Sequence, residues 1–509
     1  MDSTKLIMLF AIIAYLAIVV GIGVVLAKKN RTTEDFYLGG RKLGPFVTAM
    51  SAEASDMSSW LLMGLPGVAY VSGLADASWT AIGLAIGTYV NWLIVAKRLR
   101  HYTNEAGNAT TLPLFFSNRY RDEKRILSVI AAVIIIVFFV PYTASGFAAC
   151  GKLFSSLFGW DYMPAMIISA VVIVAYTTLG GFLAASTSDF LQSIIMTIAI
   201  IVVFGFGINN VGSFGDVIEN AKSMAGYFSL TQIHDPATGT ASPYGALTIA
   251  SMLAWGLGYF GMPHVLLRFM AIEDAEKLTL SRRVATVWVV ISMAVAIFIG
   301  VIGNAMTAVG SIPRLDDAET IIITVADLIS QHGVFAALIA GVILAGILAA
   351  TMSTADSQLL AASSSASQNI LKEVFRKDMS EKAGMMAARV TVVIISVIAM
   401  FIAGDSNSSV FQIVSFAWAG FGAAFGPLML SALFWKRSNM YGALAGMVSG
   451  GVMVFVWKFL IRPMGGVLGI YELLPAFIVG LVFNVVVSLM TAEPSKEIQD
   501  EFDRVAAMK

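Results

Sequence analysis

Long apolar runs separated by short polar stretches extend along almost the whole of this 509-residue chain. A membrane-spanning helix needs about 20 mostly apolar residues, and about thirteen runs meet that requirement. They lie at approximately 6–27, 46–75, 77–98, 125–156, 161–182, 186–209, 244–270, 282–309, 320–371, 387–403, 408–436, 440–460 and 467–491. The first run, Leu6–Ala27, lacks a small-residue cleavage site, so we interpret it as a spanning helix and not as a signal peptide. The pattern predicts an all-α polytopic membrane protein with about thirteen transmembrane helices.

The composition excludes several other classes of protein. Hydrophobic residues make up 58% of the chain and charged residues only 13%, too few to solvate a soluble protein of this length. The formal net charge is zero, which gives no electrostatic case for a nucleic-acid partner. The single cysteine, Cys150, excludes an internal disulfide and a cysteine-based metal cluster. The four scattered histidines supply no nucleophile–base pair, so we do not expect an enzyme.

Basic residues are distributed unevenly between the two sides that these segments define. If the N-terminus is outside, all but six of the 32 lysines and arginines fall on one side, near its interface or in the C-terminal tail. The exceptions are Lys5, Lys152, Lys222, Arg314, Lys458 and Arg462. The main clusters on the basic side are at 28–31, 41–42, 97–100, 119–125, 277–283, 372–389 and 436–437. Because the basic side is cytoplasmic by the positive-inside rule, we expect polar loops 210–243 and 310–319 outside and a short cytoplasmic tail at 492–509.

Two of the apolar helices are interrupted, one in each half of the chain. Segments two to six and seven to eleven are similar in length, and each set begins with such a helix. The first interruption is a polar segment around Asp56 followed by Gly64-Leu-Pro66-Gly67; the second is the segment 255–263, Trp-Gly-Leu-Gly-Tyr-Phe-Gly-Met-Pro. Interrupted helices at matching positions are typical of a transporter's binding site. Alternatively, Gly and Pro only permit close packing of membrane helices.

The two sets predict an internal repeat within a single transmembrane domain, residues 1–491. Five helices per repeat is an odd number, so the second repeat must lie inverted in the membrane. We therefore expect a five-plus-five inverted-repeat core with alternating access. The core repeats are at approximately 46–209 and 244–436, and the extra helices at 6–27, 440–460 and 467–491.

Polar residues inside two of the segments indicate a cation site. A buried charge is costly in lipid, so Asp56 is expected to face a cavity or a cation. In segment nine, Ala350, Ser353 and Thr354 follow the spacing i, i+3, i+4, which places a carbonyl edge and two hydroxyls on one helix face. Sodium is a hard cation that takes about five oxygen ligands. Alternatively, the hydroxyls bond back to the i−4 carbonyl or join neighbouring helices.

A set of motifs in the same order resembles the sodium/solute symporter family. They are Ser-Ala-x-Ala-Ser-Asp-Met-Ser from residue 51, Tyr-Thr-x-x-Gly-Gly-Phe from 176, Trp-Gly-Leu-Gly-Tyr-Phe from 255, Met-Ser-Thr from 352, and Ala-Trp-Ala-Gly-Phe-Gly-Ala-Ala-Phe-Gly-Pro from 417. The likeness covers roughly residues 30–490 and implies a LeuT-like arrangement of the inverted-repeat core.

The resemblance implies a sodium site and raises a second possible cation site. The sodium ligands implied are the backbone carbonyls of Ala54 and Met57 together with Ala350, Ser353 and Thr354. The implied supporting residues are Ser55, Asp56 and Ser58. The possible second cation site comprises Asp189, Asp356 and Ser357, although Asp356 is a carboxylate where a hydroxyl is expected and alternatively pairs with a neighbour.

One acidic residue departs from the pattern of the family. Glu53 stands where the comparable residue is usually small, and it lies three residues from Asp56, so the two acids repel. A proton-coupled role is one interpretation of Glu53. The other is a protonated or solvent-reaching carboxyl near the cytoplasmic vestibule.

The resemblance also implies an aromatic pocket for the transported solute. Aromatic rings present a flat apolar wall with a polar edge, which suits the ring of an imino acid, and helix breaks supply free N–H groups for its carboxylate. The pocket residues implied are Trp60, Tyr142, Trp255, Tyr259 and Pro263. Tyr142 is alternatively an interfacial anchor. Trp418 is expected to gate or pack, Arg41 to lie at the cytoplasmic interface, and His264 and Arg268 to be structural.

The resemblance implies a secondary active symporter in a bacterial-type inner membrane, in which inward sodium movement drives uptake of L-proline. Sodium is the expected co-transported ion, with no organic cofactor, and the oligomeric state is open. Another small amino acid, a monocarboxylate or a sugar acid is the alternative cargo. A membrane sensor would need a signalling module after the short tail, and an ion channel would need a filter-like loop.

Overall fold

The computed structural model describes residues 3–28, 32–372 and 380–508, and helices form most of this structure. Two basic clusters used for the orientation, at 28–31 and 372–389, lie partly outside the described residues. The first half contains α1 Ser3–Ala27, α2 Thr33–Leu38, α3 Pro45–Ser59, α4 Leu65–Ser72, α5 Leu74–Val90, α6 Ala96–Glu105, α7 Leu112–Arg119, α8 Ile126–Phe158, α9 Tyr162–Val211 and α10 Phe214–Ser223.

A two-stranded hairpin follows α10, with β1 Gln232–Asp235 antiparallel to β2 Thr240–Pro243. The second half contains α11 Ala246–Leu253, α12 Pro263–Ala271, α13 Leu278–Ala308, α14 Ile321–Ser330, α15 Val334–Ser364, α16 Glu381–Ile402, α17 Val410–Phe434, α18 Met440–Val456, α19 Leu473–Met490 and α20 Lys496–Ala507. The predicted all-α membrane fold is confirmed, and the hairpin is a small addition to the loop predicted at 210–243.

By length and composition, 10 helices of the described chain can cross a membrane. One of them, α9, has 50 residues, which is more than twice the length of a span. Gly181 in its middle has φ 62° and ψ −170°, a conformation that glycine adopts without the Cβ clash of other residues. The helix therefore bends sharply between the predicted segments 161–182 and 186–209.

Contacts at the two ends of α9 show that it doubles back. Near its start, the Tyr162 hydroxyl donates to the carbonyl of Ala403, just after α16. Near its end, Gly207 packs against Ile302 in the last turns of α13. Glu319, in the segment after α13, accepts a hydrogen bond from the hydroxyl of Ser409, in the segment after α16. The C-terminal ends of α13 and α16 therefore lie on the same side of the molecule. Both ends of α9 thus lie on one side of the molecule, and its two halves are antiparallel.

The predicted segment 320–371 is divided in the structure. It contains the short α14 and the long α15, separated at residues 331–333, where Gly333 has φ 106°. The bend in α9 divides one long helix into two predicted spans, and each interrupted helix joins two short helices into one predicted span. The number of about thirteen spans itself stays a prediction.

Both expected interruptions are present. In the first, Ser58 leaves the helical region at φ 51° and ψ −171°, and a π-helical turn, Trp60–Gly64, connects α3 to α4. In the second, the 3₁₀ segment Ala254–Phe260 connects α11 to α12. Irregular backbone at this depth is tolerated only where protein or a cavity surrounds it. Helix α15 packs against α3 at the first interruption, and α5 and α17 pack against the second.

The second interruption is held against α5 by a contact between glycines. A Cβ placed on Gly87 would lie 2.4 Å from the Cα of Gly256, and a Cβ on Gly256 would lie 2.2 Å from the carbonyl oxygen of Gly83. Only residues without a side chain permit the two backbones to approach this closely.

Replacing Gly87 with Ala tests this packing. The added methyl group has no space, and overpacking costs about 1–3 kcal/mol, so the melting temperature of the detergent-purified protein should fall. Gly451→Ala is the control, because a Cβ there would meet its nearest neighbour, Ala424 Cβ, at an ordinary 3.7 Å. Equal melting temperatures for the two variants would contradict the close approach.

Candidate functional site

The break in the first interrupted helix is stabilised by polar groups from its own surroundings. Ser58 has an unusual positive φ for a residue other than glycine. Its hydroxyl accepts a hydrogen bond from the Trp60 N–H at 3.1 Å. The carbonyl of Asp56 accepts from the hydroxyl of Tyr142, on α8, at 3.2 Å. Backbone groups released by the break therefore find partners, as burial requires.

A side-chain hydrogen bond joins the two interruptions. The hydroxyl of Tyr259, in the second break, donates to Asp56 Oδ2, beside the first, at 2.6 Å. Tyr259 is 0% and Asp56 5% exposed. The other carboxylate oxygen, Asp56 Oδ1, is buried without a hydrogen-bond partner among the described residues. As predicted for Asp56, this carboxylate faces the interior and not the lipid.

Four of the five predicted sodium ligands meet at the contact between α3 and α15. The Ser353 hydroxyl lies 2.8 Å from the Ala54 carbonyl oxygen and 3.1 Å from that of Ala350. The Thr354 hydroxyl also lies 3.1 Å from the Ala350 carbonyl. Two hydroxyl and two carbonyl oxygens thus form one buried cluster between the broken helix and α15.

The fifth ligand and two of the supporting residues lie beside this cluster. The Met57 carbonyl accepts the Trp60 N–H at the break, and Met57 lines a cleft together with Asp56. The Ser55 hydroxyl donates within its own helix to the Ala52 carbonyl. The alternative interpretation, hydroxyls bonded back along the helix, is also realised, since Thr354 contacts the carbonyl four residues before it.

The residues of the possible second cation site surround an arginine. Asp189 Oδ2 accepts hydrogen bonds from Ser51 and from Arg268, and the Arg268 guanidinium also donates to Ser357. Asp356 Oδ1 lies 3.1 Å from the Ser357 hydroxyl. Sequence reasoning treated Arg268 as structural and missed these contacts. No local spacing could have revealed them, because Arg268 lies 79 residues from Asp189 and 89 from Ser357.

Glu53 is fully buried, which excludes the solvent-reaching form of its second interpretation and leaves the protonated form open. Its exposed fraction is 0%, and Oε1 accepts a hydrogen bond from the indole of Trp92, on the turn after α5, at 2.9 Å. Its second oxygen, Oε2, has no hydrogen-bond partner in the part of the chain that the structure describes. The proton-coupled interpretation of Glu53 stays a prediction.

Most of the predicted pocket residues converge on one small cleft between the interrupted helices. Trp60 and Trp255 are 5.8 Å apart between ring centroids. The cleft has a volume of about 10 Å³, and its lining includes Asp56, Trp60, Tyr142, Trp255 and Trp418. Tyr142 is buried by this cleft, so its alternative role as an interfacial anchor is wrong.

The remaining residues named from the sequence lie around the cleft. Tyr259 packs edge-on against Trp418, with 5.0 Å between the centroids, and the Trp418 indole donates to the Trp255 carbonyl. Pro263 is the first residue of α12 and does not line the cleft. His264 is buried with its ring 5.7 Å from Phe139, and Arg41 donates to the carbonyls of Met270 and Ala109.

A large vestibule lies on the other side of the aromatic rings. This cavity has a volume of about 980 Å³ and reaches Trp255, Phe411 and Tyr471. Phe411 stacks 6.0 Å from Trp60 and lies 5.6 Å from Trp255, and Tyr471 stacks 5.0 Å from Trp255. These rings separate the vestibule from the cleft. Sequence reasoning missed Phe411 and Tyr471, since each lies in an apolar stretch without a distinguishing motif.

Family comparison agrees with this architecture. Residues 36–450 match the model of the sodium:solute symporter family. The chain therefore belongs to this family of multi-pass membrane transporters, and the resemblance found in the sequence is confirmed.

The relatives are similar to this chain over almost its full length. The sodium/proline symporter of Haemophilus influenzae is 43% identical, with 95% of this chain and 94% of the relative covered. The high-affinity proline transporter PutP of Bacillus subtilis is 41% identical, with coverages of 95% and 98%. The sodium/proline symporter of Escherichia coli strain K12 is 40% identical, with coverages of 98% and 96%.

Solved structures share the fold at low sequence identity. A Na⁺-coupled sialic acid symporter in a substrate-bound outward-open state has a TM-score of 0.78 at 17% identity, with 96% of this chain and 99% of that chain covered. Mhp1, a nucleobase-cation-symport-1 family transporter in a closed conformation, has a TM-score of 0.56 at 13% identity, with 92% and 98% covered. The expected LeuT-like fold is confirmed.

Proposed function

We propose that this protein is a secondary active symporter that couples inward movement of sodium to uptake of L-proline by alternating access. The relatives named for sodium and proline support the choice of ion and cargo. The observation that carries the proposal is geometric: α3 contacts α15 through Ala54 and Ser353, and it contacts the second break through Asp56 and Tyr259. The ion ligands and the cleft are therefore built on one interrupted helix.

Sodium binds among the oxygens of Ala54, Met57, Ala350, Ser353 and Thr354. In the structure, the Ser353 hydroxyl donates a hydrogen bond to the Ala54 carbonyl and the Thr354 hydroxyl donates to the Ala350 carbonyl. Each hydroxyl oxygen retains a lone pair with which it can bind a cation. Neutral oxygens hold sodium less tightly than a carboxylate cage would, which favours its release on the other side. Asp56, with Ser55 and Ser58 near the break, supplies the compensating negative charge.

Proline binds between the two interruptions, in the region of Trp60, Tyr142, Trp255, Tyr259 and Pro263. The aromatic faces cover the pyrrolidine ring, and backbone N–H groups at the breaks face the carboxylate. A cleft of about 10 Å³ is too small for an amino acid, so the aromatic rings must separate before proline enters. The vestibule, which is lined by Trp255 and Phe411, gives proline access to these aromatic rings.

The remaining features follow the sequence expectations. The N-terminus lies outside and the C-terminal tail, with α20, in the cytoplasm of a bacterial-type inner membrane. Residues 1–491 form one transporter domain with inverted repeats at approximately 46–209 and 244–436. The protein needs no organic cofactor and performs no covalent chemistry on its cargo.

Uptake by purified protein tests the function. Proteoliposomes are supplied with radiolabelled proline, with and without an inward sodium gradient. A tenfold sodium gradient stores about 1.4 kcal/mol, so about tenfold accumulation above equilibrium is expected, with more at an inside-negative potential. Sodium-driven uptake of a labelled amino acid, monocarboxylate or sugar acid in place of proline would identify another cargo. Equal proline levels with and without the gradient would overturn the proposal.

Removing the hydroxyl of Thr354 should weaken sodium binding. In Thr354→Ala one of the oxygen ligands is lost, so the sodium concentration for half-maximal uptake should rise by about tenfold or more, equivalent to 1.4 kcal/mol. Proline affinity without sodium should change little.

Thr391→Ala is the matched control for this variant. The Thr391 hydroxyl bonds back to the Ala387 carbonyl at 2.7 Å, on α16, away from the ligand cluster. A similar sodium requirement for both variants would show that Thr354 is not a ligand.

Removing the hydroxyl of Tyr259 should weaken proline binding. Tyr259→Phe keeps the ring beside Trp418 but leaves Asp56 Oδ2 without its donor. Loss of a hydrogen bond to a charged group costs about 1.5–3 kcal/mol, so we expect the apparent proline Kd to rise by about tenfold or more. Tyr162→Phe, which removes a hydrogen bond to the Ala403 carbonyl by a residue that does not line the cleft, should have the wild-type affinity. An unchanged Kd for Tyr259→Phe would contradict the pocket.

A further inference from the structure

One buried acid takes no part in the proposed contacts with sodium or proline. Glu53 is 0% exposed and directly precedes Ala54, whose carbonyl is a proposed sodium ligand. We infer that the Glu53 carboxyl is a positioning group for the sodium site: it holds α3 in place by accepting a hydrogen bond from Trp92, and it does not carry a proton. This inference rests on the proposed function and deepens it, because it assigns a residue that sets the affinity for sodium.

The donor to Glu53 is itself held in one orientation. Trp92 is 2% exposed and lies in a π-helical turn, Asn91–Val95, between α5 and α6. Its indole N–H donates to Glu53 Oε1 at 2.9 Å. Its ring packs against Phe269, on α12, with 4.4 Å between the centroids. A buried indole N–H needs an acceptor, and π-helical turns are frequent at functional sites.

The turn that carries Trp92 also contacts the second interruption. It lies against the 3₁₀ segment Ala254–Phe260, which contains Tyr259. Glu53 belongs to the first interrupted helix, so its hydrogen bond joins that helix to the surroundings of the second break. The two interruptions are therefore connected twice, directly through Tyr259 and Asp56 and indirectly through Trp92 and Glu53.

The contact between Glu53 and Trp92 lies away from the vestibule. The vestibule lining includes Gly67, on α4 after the first break, and Met252, on α11 before the second. Glu53 lies on α3 before the first break, and Phe269 lies on α12 after the second. Glu53 lines neither the vestibule nor the cleft. It therefore acts on the ion through the position of α3 and not through contact with the cargo.

The hydrogen bonds of two consecutive residues hold α3 toward different neighbours. Glu53 is bound to the turn after α5, and the Ala54 carbonyl accepts from Ser353, on α15, at 2.8 Å. A helix held in two directions cannot rotate or tilt freely, so the Ala54 carbonyl stays directed at α15. A ligand that is fixed before the ion arrives loses less freedom when the ion binds, which raises the affinity.

The inferred role needs an acceptor oxygen and no charge. Only Oε1 of Glu53 has a hydrogen-bond donor among the described residues, and Oε2 has none. A glutamine amide supplies the same acceptor oxygen but has no carboxyl proton to exchange. Glu53→Gln therefore keeps the positioning role and removes any proton-carrying role, so the two interpretations of Glu53 give opposite results.

Sodium titration of uptake tests the inference. Full-length wild type, Glu53→Gln, Glu53→Ala and Trp92→Phe are reconstituted in proteoliposomes, and initial proline uptake is measured against sodium concentration. Glu53→Ala and Trp92→Phe lose the hydrogen bond, so the sodium concentration for half-maximal uptake should rise by about three- to tenfold. The maximal rate at saturating sodium should stay within about twofold of the wild type, because only the ground-state position of a ligand is disturbed. Glu53→Gln should keep the wild-type sodium requirement.

Two controls separate positioning from general destabilisation. Trp288→Phe is the matched control, because the Trp288 indole donates to the Thr197 hydroxyl, also at 2.9 Å, between α13 and α9; it should keep the wild-type sodium requirement. The double variant Glu53→Ala with Trp92→Phe removes one and the same bond, so its sodium requirement should be close to that of either single variant and not the product of both shifts. If Glu53→Ala does not fold, Trp92→Phe removes the same bond and leaves α3 unaltered.

The proposed function and this inference fail differently. Absence of sodium-driven proline uptake by the wild type would overturn both. Wild-type sodium requirements in folded Glu53→Ala and Trp92→Phe would overturn only the inference. A folded Glu53→Gln variant that loses sodium-driven uptake would also overturn it, since the charge or the proton of Glu53 would then be needed. So would shifts that multiply in the double variant, because Glu53 and Trp92 would then act separately.

Discussion

The hydrogen bond between Tyr259 and Asp56, 2.6 Å long, is the interaction on which the candidate site depends. It joins the only two interrupted helices that the sequence predicts, through two side chains that are both buried. A buried carboxylate without donors is costly, and so is a broken helix without a surrounding cavity. The hydrogen bond therefore stabilises both breaks: Asp56, beside the first break, provides the acceptor, and Tyr259, in the second break, provides the donor.

Helix α3, which bears Asp56, also carries part of the proposed sodium site. Ala54 lies one turn from Met57 on α3 and contacts Ser353 on α15, so a change in the position of α3 moves the ion ligands and the cleft together. This common element provides a physical basis for coupling: an ion that fixes α3 against α15 also fixes one wall of the cleft. Binding of either species should then favour binding of the other by the same factor.

The sequence predicted the framework of the fold because its signals are local. Apolar runs locate the helices, and the Ser/Asp-rich segment at Asp56 and the glycines around Tyr259 mark the two breaks. The spacing of Ala350, Ser353 and Thr354 on one helix face predicted their cluster. The resemblance added Tyr142, which no pattern on α8 distinguishes from an interfacial tyrosine, and which the structure buries at the Asp56 carbonyl.

Contacts between distant parts of the chain could not be predicted in this way. The donor to Glu53 is Trp92, in a turn 39 residues away, and the cation beside Asp189 comes from α12. Phe411, which closes the vestibule side of the cleft, lies at the start of an ordinary apolar helix. Each of these depends on how helices pack, and packing determines partners that helical periodicity leaves open.

Equilibrium binding to the detergent-purified protein tests the central claim, that ion and cargo share a site built on α3, most directly. The proline Kd is measured with and without saturating sodium, and the sodium Kd with and without saturating proline. The account predicts that each species strengthens the other's binding by the same factor, in the range of about 5- to 150-fold for coupling free energies of 1–3 kcal/mol. A proline Kd that is independent of sodium would contradict it.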